Sequence, residues 1–332
     1  MAARGRWPTS STDERDRRAV DGGRPPGRWV RGPTPDGLAE RVRRLELTIN
    51  RRLDGALHGD HQGLTPGHGS EPGESRPYQA GDDVRRIDWN VTARTHETHV
   101  RDQIADRDLT AWLVVDVSAA MDFGTEDDDK ARTAMAAAAT VGFLTARGRN
   151  RLGAVLVAGP LLHVVPPRSG RDQVRAILSA VATPPPSEGS GPANLAGALH
   201  RVGALARRRG FVAVVSDFAS DRWRDPLARV GVRHDLLALV VSDPREHDVP
   251  PIGLVELVDP ATGAGREVRI TAAVRRRFAQ AAAEDLDRRR EDLRRSRAEV
   301  IELSTSDDWL ASIVRHVRRR RVQAVRTPSS AR

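Results

Sequence analysis

Carboxylate and hydroxyl side chains follow two strongly apolar stretches that lie far apart in the chain. Asp116 and Ser118 come after the apolar run 111–115, and Asp217 comes after the apolar run 211–215. Carboxylate and hydroxyl oxygens are the ligands that hard cations such as Mg²⁺ prefer. These three residues are therefore a candidate magnesium site, provided that the fold brings them together.

The elements that would position these residues belong to an alternating pattern. The runs 112–117, 211–216 and 235–241 are almost continuously apolar, which is typical of strands buried on both faces. Helical stretches alternate with such runs from residue 111 to residue 321, and this predicts an α/β fold with a doubly wound, mostly parallel sheet. Functional crevices in such sheets lie at the C-terminal ends of the strands. Asp116, Ser118 and Asp217 are therefore expected at one edge of the sheet.

The sequence Asp-Val-Ser-Ala-Ala from Asp116 to Ala120, together with Asp217, resembles the metal-ion-dependent adhesion site of the von Willebrand factor A fold. The resemblance implies a von Willebrand factor A-like domain whose bound cation contacts a partner protein. Two hydroxyl ligands of that site are missing, because Ala120 replaces a serine and Ala193 stands where the family has a threonine. The site is therefore degenerate, and the alternative is that both aspartates simply accept hydrogen bonds from loop amides.

A second resemblance lies upstream, in a dense run of charged, aromatic and glycine residues. Its members are Arg76, Tyr78, Gly81, Asp82, Asp83, Arg85, Ile87, Asp88, Trp89 and Asn90. The run resembles the signature of the bacterial "domain of unknown function 58" family, over about residues 38–321. The resemblance implies an adaptor or chaperone-like protein that works beside a MoxR-type AAA+ ATPase, with no established catalysis.

The same run also predicts local structure. Ile87, Trp89 and Val91 alternate with polar residues, which indicates a strand with Trp89 packed inward. The charged residues of the run either lock this small β-rich region onto the sheet or present a polar docking surface.

Composition along the chain predicts four segments. Residues 1–35 lack apolar periodicity and are expected to be disordered; residues 36–108 form an amphipathic helix and the small β-rich region. Residues 109–322 form the α/β domain, and residues 323–332 form a tail. The longest uncharged apolar run, 133–146, is too short to span a bilayer. We therefore expect a cytoplasmic protein that reaches a membrane surface only through partners.

Composition also limits the chemistry. The chain has no cysteine, which excludes thiolate metal sites and cysteine nucleophiles. Lys130 is its only lysine, which disfavours lysine-based chemistry.

The leading hypothesis is a non-enzymatic protein-interaction module. The chain has a net charge of +9 and arginine clusters at 207–209 and 315–321. Electrostatic binding of nucleic acid or anionic membrane is therefore an alternative, although no nucleic-acid motif accompanies the clusters. A metal-dependent hydrolase is the third hypothesis.

Overall fold

The computed structural model describes residues 35–56, 75–78, 87–95, 97–101, 109–124, 128–146, 150–183, 191–259 and 262–326. Its helices are α1 (Pro35–Ala56), α2 (Trp89–Thr95), α3 (Lys130–Ala146), α4 (Arg171–Ala182), α5 (Leu195–Leu205), α6 (Arg224–Arg233), α7 (Ala272–Arg295) and α8 (Trp309–Arg326). Its strands are β1 (Ser75–Pro77), β2 (His99–Arg101), β3 (Thr110–Asp116), β4 (Arg151–Ala158), β5 (Leu161–Ser169), β6 (Phe211–Ser216), β7 (Asp235–Ser242), β8 (Gly253–Val258), β9 (Gly265–Ile270) and β10 (Glu299–Ser304).

Six of these strands form one sheet in the order β10-β7-β6-β3-β4-β5. All neighbouring strands are parallel except β5, the outermost strand on one side, which pairs with β4 in the antiparallel direction. The prediction of an α/β fold with a mostly parallel sheet is confirmed. It succeeded because strands buried on both faces must be apolar at nearly every position.

Helices cover both faces of this sheet, and successive residues of β3 show the division. Leu113 and Val115 pack in the core that also holds side chains of α1, α3, α4 and α8. Trp112 and Val114 point to the opposite face, whose core holds side chains of α5, α6 and α7. Each central strand therefore contributes alternate side chains to two separate apolar layers.

The predicted amphipathic helix is α1, and its apolar side belongs to the main core. Val42 and Ile49 are buried there, and the helix contacts α3, α4 and α8. Between them, the buried carboxylate of Glu46 accepts hydrogen bonds from the Arg175 guanidinium at 3.0 and 3.2 Å. An ion pair thus joins α1 to α4.

Strands β8 and β9 form an antiparallel hairpin between β7 and α7. The hairpin is a separate two-stranded sheet that pairs with none of the six strands of the main sheet. Four of the large apolar residues that it carries or adjoins are exposed: Ile252, Leu254, Leu257 and Val258. The hairpin therefore presents apolar side chains outside the core.

The predicted strand through Ile87, Trp89 and Val91 is wrong, because Trp89 begins helix α2. The carboxylate of Asp88 accepts hydrogen bonds from the backbone amides of Asn90 and Val91, which is the contact of a helix cap. Trp89 is 71% exposed, so its predicted inward packing is wrong as well. Among the described residues of this region, the β-structure consists of the short pair β1–β2 and a bridge between Ile87 and Val100.

The structure describes only part of the predicted terminal segments. Helix α8 continues to Arg326, so the helix includes the first residues of the predicted tail. The expected disorder before Pro35, and the signature residues Gly81, Asp82, Asp83 and Arg85, lie outside the described residues, and only the backbone of Arg76 is described. No helix in the described ranges combines the length and the apolar character needed to cross a membrane.

Candidate functional site

The order of the strands brings Asp116 and Asp217 to the same place. Strand β4 lies on one side of β3 and β6 lies on the other, so the sheet changes its winding direction at β3. Because β3 and β6 run parallel, with Val115 opposite Val215, both strands end at one edge. Asp116 is the last residue of β3 and Asp217 follows β6, which is the position where α/β sheets form their crevices.

Asp116 is buried and held by groups from both strand ends. Its Oδ1 accepts a hydrogen bond from the Ser118 amide at 3.0 Å, and its Oδ2 accepts one from Ser216 Oγ at 2.8 Å. Burial and the charge of Asp217 together raise the pKa of Asp116 to about 6, although the hydrogen bonds from Ser118 and Ser216 oppose the rise. Asp116 is therefore a carboxyl group that protonates more readily than an ordinary aspartate.

Asp217 lies equally deep but has a cation beside it. Its Oδ2 accepts a hydrogen bond from Lys130 Nζ at 2.9 Å, and its Oδ1 accepts one from the Ala219 amide at 3.0 Å. Burial disfavours the ionised form of Asp217, but the charge of Lys130 and the hydrogen bonds from the Ala219 amide and Lys130 together outweigh it and lower the pKa. Asp217 is therefore the carboxylate that stays ionised, while its backbone carbonyl accepts a hydrogen bond from Arg289 Nη1 at 2.9 Å.

Lys130, the first residue of α3, is the group that the sequence analysis missed. Its side chain is 2% exposed, and Nζ donates a second hydrogen bond, to Glu246 Oε1 at 2.6 Å. Burial lowers the pKa of Lys130, but the charges of Asp217 and Glu246 and its hydrogen bonds to both carboxylates together outweigh this and raise it. The sequence analysis considered lysine only for lysine-based chemistry and did not place Lys130 at the strand ends. We call the group Asp116, Ser118, Lys130, Ser216, Asp217 and Glu246 the strand-edge cluster.

Glu246 is positioned by a short 3₁₀ turn, Pro244–Glu246, that follows β7. Its second carboxylate oxygen accepts a hydrogen bond from the Asp243 amide at 3.0 Å, as in a capping box. The buried Asp243 carboxylate also accepts a hydrogen bond from Thr305 Oγ1, just after β10, at 2.7 Å. The strand-edge cluster is thus continuous with the ends of β7 and β10.

The remaining residues of the predicted metal site contribute less. Ser118 Oγ is buried and has no hydrogen-bond partner among the described residues. Asn194, next to Ala193, accepts a hydrogen bond from the Gly197 amide and caps α5. A lone lysine at the start of a helix, directly after an acidic run, was the only sequence signal that could have pointed to Lys130.

The cluster does not fit a divalent cation. A magnesium ion binds oxygen at roughly 2.1 Å, so an ion on Asp217 Oδ2 would lie within about 5 Å of Nζ, which is 2.9 Å from the same oxygen. Two cations at that separation repel by several kcal/mol even at an effective dielectric constant of about 20. Within the described part of the chain, no group of three or more histidine and carboxylate side chains is placed to hold a metal.

A groove of about 530 Å³ lies elsewhere, between α6 and α7. Charged side chains line it, and several pair with each other, as Arg224 does with Asp292 at 2.7 Å and Arg295 with Glu291 at 3.0 Å. None of the residues that line the groove belongs to the strand-edge cluster.

Residues 74–288 match the family described as "Protein of unknown function DUF58". The chain belongs to this family. The matched region of the DUF58 chain begins after α1, ends within α7 and includes the whole strand-edge cluster.

Mycobacterial proteins are similar over most of this DUF58 chain. The uncharacterised proteins Rv1480 of Mycobacterium tuberculosis and Mb1516 of Mycobacterium bovis are each 47% identical over 298 residues, which is 89% of this chain and 94% of theirs. An uncharacterised Mycobacterium avium protein is 39% identical over 158 residues, which is 47% of this chain and 94% of its own.

Two solved structures are distantly similar. The conserved hypothetical protein BatB from Bacteroides thetaiotaomicron has a TM-score of 0.41 and 9% identity, over 64% of this chain and 98% of its own. An aerotolerance-related membrane protein from Bacteroides fragilis has a TM-score of 0.38 and 11% identity, over 64% of this chain and 97% of its own.

Proposed function

We propose that this DUF58 protein is a non-enzymatic interaction module with a von Willebrand factor A-like domain. It binds a protein partner at the C-terminal edge of its sheet. A MoxR-type AAA+ ATPase, the partner that the family resemblance implies, is the candidate, and the chain acts as its adaptor or chaperone-like companion.

The observation that carries this proposal is the apolar surface of the hairpin β8–β9. Exposed apolar groups, concentrated in residues 252–258, are a feature of protein-binding surfaces. The hairpin follows β7 by ten residues, so it leaves the sheet from the edge at which Asp116 and Asp217 lie. A partner on the hairpin would therefore also approach that edge.

The state of the strand-edge cluster supports a role in binding over one in catalysis. The two buried carboxylates are already engaged by Ser216 and Lys130, and the Lys130 ammonium is held by two carboxylates. A general base or nucleophile needs access to a substrate atom, whereas these groups lie within the fold. Their bonds join the ends of the strands, which makes the edge a rigid surface.

Copurification from the native host tests the proposal. We expect the tagged full-length chain to retain a MoxR-type AAA+ ATPase at near-stoichiometric amounts. Replacing two exposed hairpin residues, as Leu254→Ser with Val258→Ser, should remove most of the ATPase because it removes apolar contact area from the interface.

The matched control is Val232→Ser, since Val232 is 69% exposed and Val258 is 55% exposed. Val232 lies near the end of α6, three residues before β7 begins, and thus at the opposite edge of the sheet. The control variant should retain the ATPase. Repeated absence of any ATPase from the wild-type preparation, or equal loss from both variants, would contradict the proposal.

One observation favours a second function. Arg207, Arg208 and Arg209 are exposed and directly precede β6, at the N-terminal edge of the sheet. Such a cluster supports electrostatic contact with phosphate groups of nucleic acid or anionic lipid. Arg209 is paired with Asp235 at 3.3 Å, which reduces the free positive charge at this edge.

A further inference from the structure

Lys130 connects three separate elements through one ammonium group. It begins α3, and its Nζ donates to Asp217 after β6 and to Glu246 in the turn after β7. The centroid of the Phe123 ring lies 5.8 Å from Nζ. This buried cation is the only lysine of a chain that contains 54 lysine and arginine residues in all.

The type of cation matters at this position. An ammonium is a compact point charge on a flexible stem, whereas a guanidinium is a broad planar fork. Nζ thus fills a small space between two carboxylates, as a metal ion does in a site with oxygen ligands. A buried carboxylate without a neighbouring positive charge would be strongly disfavoured.

From this geometry we infer that the Lys130 ammonium takes the place of a divalent cation at the C-terminal edge of the sheet. It balances the charge of Asp217 and fixes the Pro244–Glu246 turn against β6. The edge is therefore assembled without a metal ion. This inference does not depend on the proposed partner.

Thermal unfolding of the purified full-length chain tests the inference. The wild-type melting temperature should be the same, within about 1 °C, in EDTA and in millimolar Mg²⁺ or Mn²⁺. Lys130→Met keeps the apolar stem but leaves two carboxylates without their cation. We expect it to lower the melting temperature by roughly 10 °C, as removal of one partner from a buried pair does.

Arg132→Met is the matched control, because Arg132 is a partly exposed cation on the first turn of the same helix. Its ion pairs with Asp128 and Asp129 are 3.7 Å long, so its loss should change the melting temperature by no more than about 2 °C. If Lys130→Met were as stable as this control, Lys130 would not hold the edge and the inference would be overturned.

A second variant tests whether the Lys130 ammonium takes the place of a divalent cation. Lys130→Ala removes both the charge and the stem, which leaves room beside the carboxylate oxygens of Asp217 and Glu246 that Nζ contacts. Mg²⁺ or Mn²⁺ should then raise the melting temperature of this variant, and calorimetry should detect a binding heat that the wild type lacks. A Lys130→Ala variant that does not respond to either ion, or a wild type that both ions stabilise, would overturn the inference. Because no partner takes part, this result is independent of the ATPase experiment.

Discussion

At the scale of single residues, two carboxylates in the same cluster have opposite properties. Asp116 has no lysine bonded to it in the described structure, and burial raises its pKa; Asp217 bonds to Lys130, and its pKa is lowered. The two groups are 101 positions apart in the chain, yet the charge of Asp217 is one of the causes of the Asp116 shift. Similar residues at equivalent strand ends thus differ because only one of them has a bonded cation.

This difference predicts how stability depends on pH. The pKa of Asp116 is about 6 in the folded chain and near 3.8 when unperturbed. Between these values the folded state binds more protons than the unfolded state, so the free energy of unfolding falls as the pH rises. The free energy of unfolding has fallen by about 3 kcal/mol in total once the pH is above 6.

Asp116→Asn should remove this contribution, since its amide oxygen still accepts from the Ser118 amide and its charge is absent. Urea unfolding of both proteins at several pH values measures the effect. The stability of the variant relative to wild type should increase by up to about 3 kcal/mol between pH 4 and pH 7. Parallel stability curves for the two proteins would contradict the raised pKa.

At the scale of secondary-structure elements, α1 lies before the matched DUF58 region yet forms part of its core. Ile49 is fully buried in the main apolar core, whereas Leu47 on the same helix is 52% exposed. Helix α1 therefore covers a part of the apolar layer that the matched region alone would leave open to water.

We expect Ile49→Ala to lower the free energy of unfolding by about 2–5 kcal/mol, because it removes a buried side chain and leaves a cavity. Leu47→Ala removes a similar number of atoms from an exposed position and should change it by no more than about 0.5 kcal/mol. Denaturant titration of both variants provides the measurement. Equal effects would mean that α1 does not pack on the core in solution.

The same scale shows what the sequence could predict. The strands β3, β6 and β7 were predictable because their burial on both faces leaves long apolar runs. The alternation over Ile87, Trp89 and Val91 was too short to distinguish a strand from a helix. The cap formed by Asp88 stabilises the helix.

The candidate site was predictable only in part. The ends of parallel strands must share an edge, which brought Asp116 and Asp217 together in the prediction. Lys130 is 87 residues from Asp217 and 116 residues from Glu246. Contacts at such separations depend on how helices and turns pack around the sheet, and no local pattern in the sequence encodes them.

At the scale of the whole molecule, the two edges of the sheet carry different chemistry. The C-terminal edge has the strand-edge cluster, and the chain leaves β7 there toward the apolar hairpin, whereas the N-terminal edge has the exposed cluster Arg207–Arg209. Helix α8 follows β10 and returns toward the N-terminal edge, so its exposed Arg318 and Arg319 lie toward the same edge. Apolar and electrostatic contacts are therefore separated along the strand direction.

This separation predicts that the two kinds of binding respond to different substitutions. Binding of a mixed-sequence DNA duplex should be weak and should fall steeply between about 50 and 200 mM salt, since each phosphate contact contributes about 0.9 to the salt slope. Replacing Arg207, Arg208 and Arg209 with serine should lower that slope by about 2 to 3 in a fluorescence titration. The hairpin variant should leave the slope unchanged, and the arginine variant should retain the proposed AAA+ ATPase partner. An arginine variant that loses the ATPase would place the protein-binding surface at the N-terminal edge instead, because substitutions at one edge do not remove contacts at the other.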